Sequence, residues 1–398
     1  MAAGDDGVGT RIARNRKRRG LNQRDFAARV HFSVSTIQKV ESGHKPASPA
    51  LIEAVARALQ VPVHELQGQP IRGESPREDA VHASVMAIRR ALAGWDMPAD
   101  IPARPLYRIR PDVRQASMLH LASRYRELGR MLPGLLDELT VVYHTVTGHE
   151  REVAAGLLTG AYHAAFEMVY KLGYGDLVLT AVDRLRWAAS ASGDPLAEGA
   201  AAWLRSWVLS ITDDVPRALI LLEKTRQDVH RRFPKHTPAR ISVIGSLHLR
   251  QAAILGRQRR LAEADDHIAE ARELAQHLGV DGNAYLLAFG PSNVAIHSVA
   301  VAADALDYAE AIKRAKGVRL PARIPKERSS HHAIEVAHAY QQEGDAESAV
   351  RCLQKARRIA PQHTRIHPMV HETVRALIDQ RRTTGPVATF ADWLRLTV

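Results

Sequence analysis

A single cysteine, Cys352, stands in a chain of 398 residues. It can form neither an intrachain disulfide nor a thiolate metal cage, which fits a reducing compartment and an expected cytoplasmic location. Aromatic residues make up only 5% of the chain, and strand signals are few. Alanine, leucine and arginine recur instead, with apolar residues at three-to-four spacing almost throughout, so an all-α fold is expected. No apolar signal segment opens the sequence. The most apolar stretch, 283–306, is broken by Gly290-Pro291-Ser292-Asn293 and by His297, so no membrane span is expected. Phosphate loops, dinucleotide glycine patterns and serine-nucleophile elbows are all missing. No catalytic residue, cofactor or metal is therefore expected, and an enzyme is not the reading.

What is present in excess is positive charge: 55 Lys and Arg against 43 Asp and Glu, a net +12. Residues 1–66 hold 11 of the former against 6 of the latter, so the first sixth carries over a third of the excess. A compact basic module can neutralise phosphates and release counterions, the sequence-independent part of DNA binding. Within it, residues 22–43 read NQRDFAARVHFSVSTIQKVESG. Asn22 is placed to cap a first helix, with Asp25 three residues on. Phe26, Ala27 and Val30 share one face of that helix. The chain must turn at His31, a residue that tolerates positive φ better than most. Ser33 caps a second helix, Phe32, Ile37 and Val40 point back inside, and Gly43 ends it. Two short helices, a tight turn and a small core make a helix-turn-helix, whose second helix can enter a major groove.

From about residue 10 to residue 66 the chain resembles the Cro/repressor-type helix-turn-helix family, also called the xenobiotic-response-element (XRE) family. The matching residues are Ile12, Arg16, Gly20, Leu21, Gln23, Phe26, Ala27, Ser33, Thr36, Ile37, Val40, Glu41, Gly43 and Leu59. His31 departs from the family's usual turn glycine, which implies a modest stability cost. The resemblance implies a five-helix module, with an ion pair between Arg16 and Glu41. It also implies a recognition helix that reads bases through Val34, Ser35, Thr36, Gln38 and Lys39, and phosphate contacts from Asn22, Gln23 and Ser42. Val34 is left pointing outward once Phe32, Ile37 and Val40 fill the core, and an exposed valine suits a thymine methyl. Lys39 suits either guanine or a phosphate.

Organisation beyond the module follows from punctuation. Residues 1–9 read as a disordered arm, and a helix is expected from Thr10 through Arg19. Residues 67–111 read as a linker: QGQPIRGESPRED, one helix over 80–92, then a stretch from Gly94 containing Pro98, Pro102, Pro105 and Pro111. From 112 to 398 helix follows helix. Residues 330–361, SHHAIEVAHAYQQEGDAESAVRCLQKARRIAP, resemble a tetratricopeptide repeat, with Ala337 and Tyr340 on one helix, a turn at Gly344-Asp345, and Ala349, Leu353 and Ala356 on the next. Asp214…Ala218, Ala264 and Asp307…Ala311 echo it. The alanines lie 46, 47 and 38 residues apart against about 34 in the regular repeat, so a divergent α-solenoid with a concave face is expected. The order of parts resembles large actinobacterial regulators and, more loosely, Gram-positive peptide-pheromone receptors.

These features together point to a transcriptional regulator of double-stranded DNA. Its helical domain dimerises and takes a peptide or small-molecule effector, with Tyr285, Phe289, Asn293 and His297 as candidate groove residues. Asn293 and His297 are four apart and share a helix face. The plainer reading is that Ser292 or Asn293 caps a helix and His297 is structural. His331, Glu335 and His338 also share one face and offer three potential ligands, but a polar groove explains them as well. One rival function is a repeat scaffold whose helix-turn-helix no longer binds DNA. The other is a metal-dependent enzyme using the histidine face.

Overall fold

The computed structural model describes residues 7–71, 81–212, 214–380 and 385–396, and these are helical with no strand among them. The N-terminal module has five helices: α1 (Val8–Arg18), α2 (Gln23–Val30), α3 (Val34–Glu41), α4 (Pro49–Leu59) and α5 (Val63–Leu66). Asn22 accepts from the Asp25 amide at 2.8 Å and donates back to its carboxylate at 2.8 Å. Ser33 caps α3 through the Thr36 amide, and Ser48 caps α4 through that of Leu51. His31 ends α2 at φ 55°, where the missing glycine was noted. Phe26, Val30, Ile37, Val40, Leu51 and Leu59 close the core.

The opening of the chain differs from expectation. Residues 1–6 of the expected arm lie outside the described residues, but α1 starts at Val8, not Thr10, and Val8 is fully buried. The reason is packing against α3. A Cβ on Gly9 would stand 1.9 Å from the Val40 carbonyl oxygen, so a residue without a side chain lets the two helices touch.

Expected linker residues 72–80 lie outside the described residues. The linker helix is α6 (Val85–Ala93), and the next helix, α7 (Leu106–Leu121), already contains Pro111. The proline-rich connector thus ends at Pro105 rather than at 111. Proline's fixed φ is helix-compatible, and Pro111, in the second turn of α7, forgoes its own backbone donor while the helix continues through it.

Beyond α7, α8 (Tyr125–Thr145) and α9 (Gly148–Lys171) lead into helical pairs. These are α9 with α10 (Gly175–Ala191), α11 (Pro195–Ile211) with α12 (Val215–Arg232), and α13 (Pro238–Arg257) with α14 (Leu261–Leu278). They continue as α15 (Pro291–Asp304) with α16 (Tyr308–Lys316), and α17 (Lys326–Gln342) with α18 (Ala346–Ile359). The helices α19 (Pro361–Ile366), α20 (Pro368–Asp379) and α21 (Gly385–Leu394) finish the array. Small residues let paired helices approach: Ala218, Ala264, Ala311, Ala337, Ala349 and Ala356 are all fully buried. Asp214, Asp307 and Asp345 cap the helices that follow them. The first helices of successive pairs stack on one another from α11 to α17, which curls the array.

The curl brings its two ends together. Lys171 of α9 meets Glu327 of α17 at 2.6 Å, both side chains nearly buried. The apolar stretch Ala284–Asp304 is apolar and long enough by composition to cross a membrane. Here it folds as a short turn and α15, packed within the array.

Candidate nucleic-acid interface

Arg16 and Glu41 form a two-pronged pair, Nε to Oε1 at 2.6 Å and Nη2 to Oε2 at 2.8 Å. Their side chains are 7% and 6% exposed. Arg16 also donates to the Leu21 carbonyl at 2.5 Å, and Gln23 Nε2 donates to Glu41 Oε2 at 2.8 Å. One carboxylate thus ties α1, α2 and the end of α3 together. Its hydrogen bonds hold the Arg16 proton more firmly than usual.

This places Gln23 differently from the sequence reading. Its amide buttresses Glu41 as it stands, and its phosphate role would need only the remaining amide valence. Asn22 and Ser42 are exposed. The Asn22 amide is engaged in the cap, while the Ser42 hydroxyl donates to the Lys39 carbonyl at 3.2 Å and meets His44 Nδ1 at 2.9 Å.

The outer face of α3 is open. Ser35, Gln38 and Lys39 are exposed, and Val34 is 37% exposed, one of few large apolar side chains on the surface. Thr36 is half-buried with its hydroxyl 2.8 Å from Ser33 Oγ, so its first engagement is with the cap. Burial, followed by the neighbouring Lys39, pushes the Lys45 ammonium below its usual range. Two lysines near one helix end concentrate positive potential beside this open face.

The helical domain holds the module at the turn before α3, at the segment after it, and along α1 and α4. Arg259, in the α13–α14 turn, donates to the His31 carbonyl at 2.8 Å and stacks on Phe32 at 4.2 Å. Arg257 pairs with Glu53 of α4 at 2.6 Å and with Asp304 of α15 at 3.3 Å. The Val8 amide donates to Glu372 at 3.1 Å, and Gln380 donates to the His44 carbonyl at 2.8 Å. No local sequence pattern signals the contacts between module and array, because each of those joins residues more than two hundred positions apart.

Between module and array lies a cavity of about 830 Å³. Its walls include Ile52, Glu53 and Val63 from the module and Trp207, Arg257 and Glu335 from the array. The four candidate groove residues do not line it. Phe289 is a correction: it is fully buried against Gly245, where an added Cβ would stand 2.0 Å from its ring, so it is core and offers no surface to a ligand. Tyr285 is half-buried and donates to Asp194 at 2.5 Å. Asn293 and His297 hold the Arg328 guanidinium at 3.2 and 3.1 Å. Burial, then the Arg328 charge, keeps His297 neutral well below its usual pKa, so its ring nitrogen accepts.

Residues 8–67 match a family described as a helix-turn-helix domain. Nothing among curated proteins matches the chain. A solved structure, Bacillus thuringiensis PlcR in complex with the peptide PapR7 and DNA, is 12% identical, covering 78% of this chain and 92% of that one with a TM-score of 0.29. The chain carries a helix-turn-helix DNA-binding domain followed by a helical domain.

Proposed function

We propose that this chain is a sequence-specific, XRE-type transcriptional regulator acting in the cytoplasm. Residues 8–67 form its DNA-binding domain, and the helices from 106 onward form its effector and dimerisation domain. One observation carries the reading: the side chains of Val34, Ser35, Gln38 and Lys39 on the outward face of α3 are all exposed although the helical domain grips the module at His31 and Glu53. Base edges are then read by Val34, Ser35, Gln38 and Lys39, with Thr36 at the entering end. Asn22, Gln23 and Ser42 face the flanking phosphates.

The effector, a peptide or small molecule, occupies the cavity between module and array rather than the Tyr285–His297 segment. Its volume is in the range of ligand pockets, and its walls are apolar with a few charged groups. A ligand there touches both the module and the array, and so has a direct means of favouring one relative placement over another.

One module buries little surface on DNA, and two on a twofold axis double it. The operator is therefore expected to be a near-palindrome with half-sites about 10 bp, or a multiple of that, apart. Footprinting on the chain's own upstream region, with sedimentation at micromolar concentration, checks this. A monomer protecting one unpaired half-site would refute the dimer. Absence of any protected site there and in a genome-wide binding map would favour the scaffold reading instead.

A further inference from the structure

Three histidines that the linear sequence scatters are brought together on the cavity wall. His331 comes from α17, His363 from α19 and His367 from the junction of α19 and α20. One ring nitrogen of each lies within 4.8 Å of the others. The ring centroids are 5.1 Å (His331–His367), 5.2 Å (His363–His367) and 6.0 Å (His331–His363) apart. The sequence grouped His331 with His338, but His338 stands apart, edge-on to Tyr308.

We propose that His331, His363 and His367 form a binding site for a divalent transition metal of the zinc class. Nothing in the DNA-binding reading requires it.

The outer nitrogens of two ligands are already held as metal-bound imidazoles usually are. His331 Nε2 lies 3.2 Å from Glu335 Oε1, and His363 Nδ1 lies 3.2 Å from Ser330 Oγ. A carboxylate or hydroxyl on the far nitrogen fixes the tautomer and leaves the near nitrogen's lone pair for the metal. His331 Nδ1 and His367 Nε2 sit 3.2 Å apart, close to the separation of about 3.3 Å between ligands of a tetrahedron with bonds of 2.0–2.1 Å. His363 is fully buried, and its Nε2 has no hydrogen-bond partner. A buried ring nitrogen left without a partner is costly, and a metal satisfies it.

The charges also suit a cation. Of the nearby cations, Lys171 is neutralised by Glu327 and the Arg328 guanidinium is engaged by Asn293 and His297. Glu335, on the outer nitrogen of His331, adds a buried carboxylate behind that ligand. Three imidazoles favour zinc, nickel or copper over magnesium or calcium. His331 and His367 line the cavity while His363 stands behind them, so a fourth coordination position faces the space in which a ligand donor atom would sit.

The test is titration of the metal-free full-length chain, purified without a histidine tag, with zinc against a chromophoric chelator, and with cobalt(II). The expected result is one equivalent per chain with the visible absorption of tetrahedral cobalt. Affinity should fall at least 100-fold in His363→Ala and His367→Ala, and about 10- to 100-fold in Glu335→Gln through the outer contact. His332→Ala, outside the cluster, should bind as the wild type does. Should His363→Ala melt early, the half-exposed His331→Gln carries the same expectation. Binding well below one equivalent in the wild type, or equal binding by wild type and cluster variants, would overturn the proposal.

Discussion

Glu41→Ala is expected to destabilise the DNA-binding module by about 3–5 kcal/mol, the usual cost of stranding one member of a buried ion pair. The side chains of Glu41 and Arg16 are under a tenth exposed, so water does little to relieve the orphaned guanidinium. The loss is larger than that of one bond, because Glu41 also accepts from Gln23. Arg16→Ala should act similarly and additionally release the Leu21 carbonyl. Hydrogen exchange of the full-length chain over α1–α3 reads this locally, and the double variant should lose far less than the sum of the singles. Unchanged protection in both single variants would show that the pair does not hold the recognition helix in place.

Arg257→Met is the second large effect. It leaves Glu53 and Asp304 facing each other across the module–array boundary without their shared cation. These side chains retain 10–25% exposure, which we ascribe to the cavity they line, so the loss is placed near about 3 kcal/mol, the low end for a broken buried pair. Burial already outweighs Arg257 at Asp304 and pushes its carboxyl up to about 6, with Glu335 and Glu53 adding to the push. A carboxyl raised in the folded state stabilises at low pH, and that contribution is lost as pH rises through the folded value. With Arg257 gone the shift grows, so the defect of Arg257→Met should be worst near pH 8 and shrink towards pH 5. A pH series of thermal melts checks this; a defect independent of pH would mean the carboxylates were not what Arg257 serves.

The module was legible in the sequence because its signals are local. Asn22 and Ser33 cap, Gly43 terminates, and the apolar spacing selects the core, each within a few residues of its effect. The repeat-like unit at 330–361 was legible for the same reason. What escaped was long-range. Gly9 looked like part of an arm until the Val40 carbonyl stood beside it. Pro111 looked like a breaker but is carried within the second turn of α7. Phe289 and Asn293 looked like groove residues, yet the curl of the array turns one into core and gives the other to Arg328. His363 and His367 lie more than thirty residues from His331, and only stacking of α17 on α19 and α20 brings them to one point.

Whether the outward face of α3 reads sequence is decided by binding of wild type, Val34→Ala and Lys39→Ala to operator and scrambled duplexes across a salt series. Wild type should prefer the operator. Val34→Ala should relax preference at one base pair by about 1 kcal/mol or more while leaving scrambled-duplex affinity unchanged, since no charge is lost. Lys39→Ala should weaken operator binding. If Lys39 grips a phosphate, the loss is equal on both duplexes and the salt slope falls by about one; if it reads guanine, the loss falls mainly on the operator. Equal affinity of the wild type for both duplexes at every salt concentration, with neither variant altering it, would contradict the account.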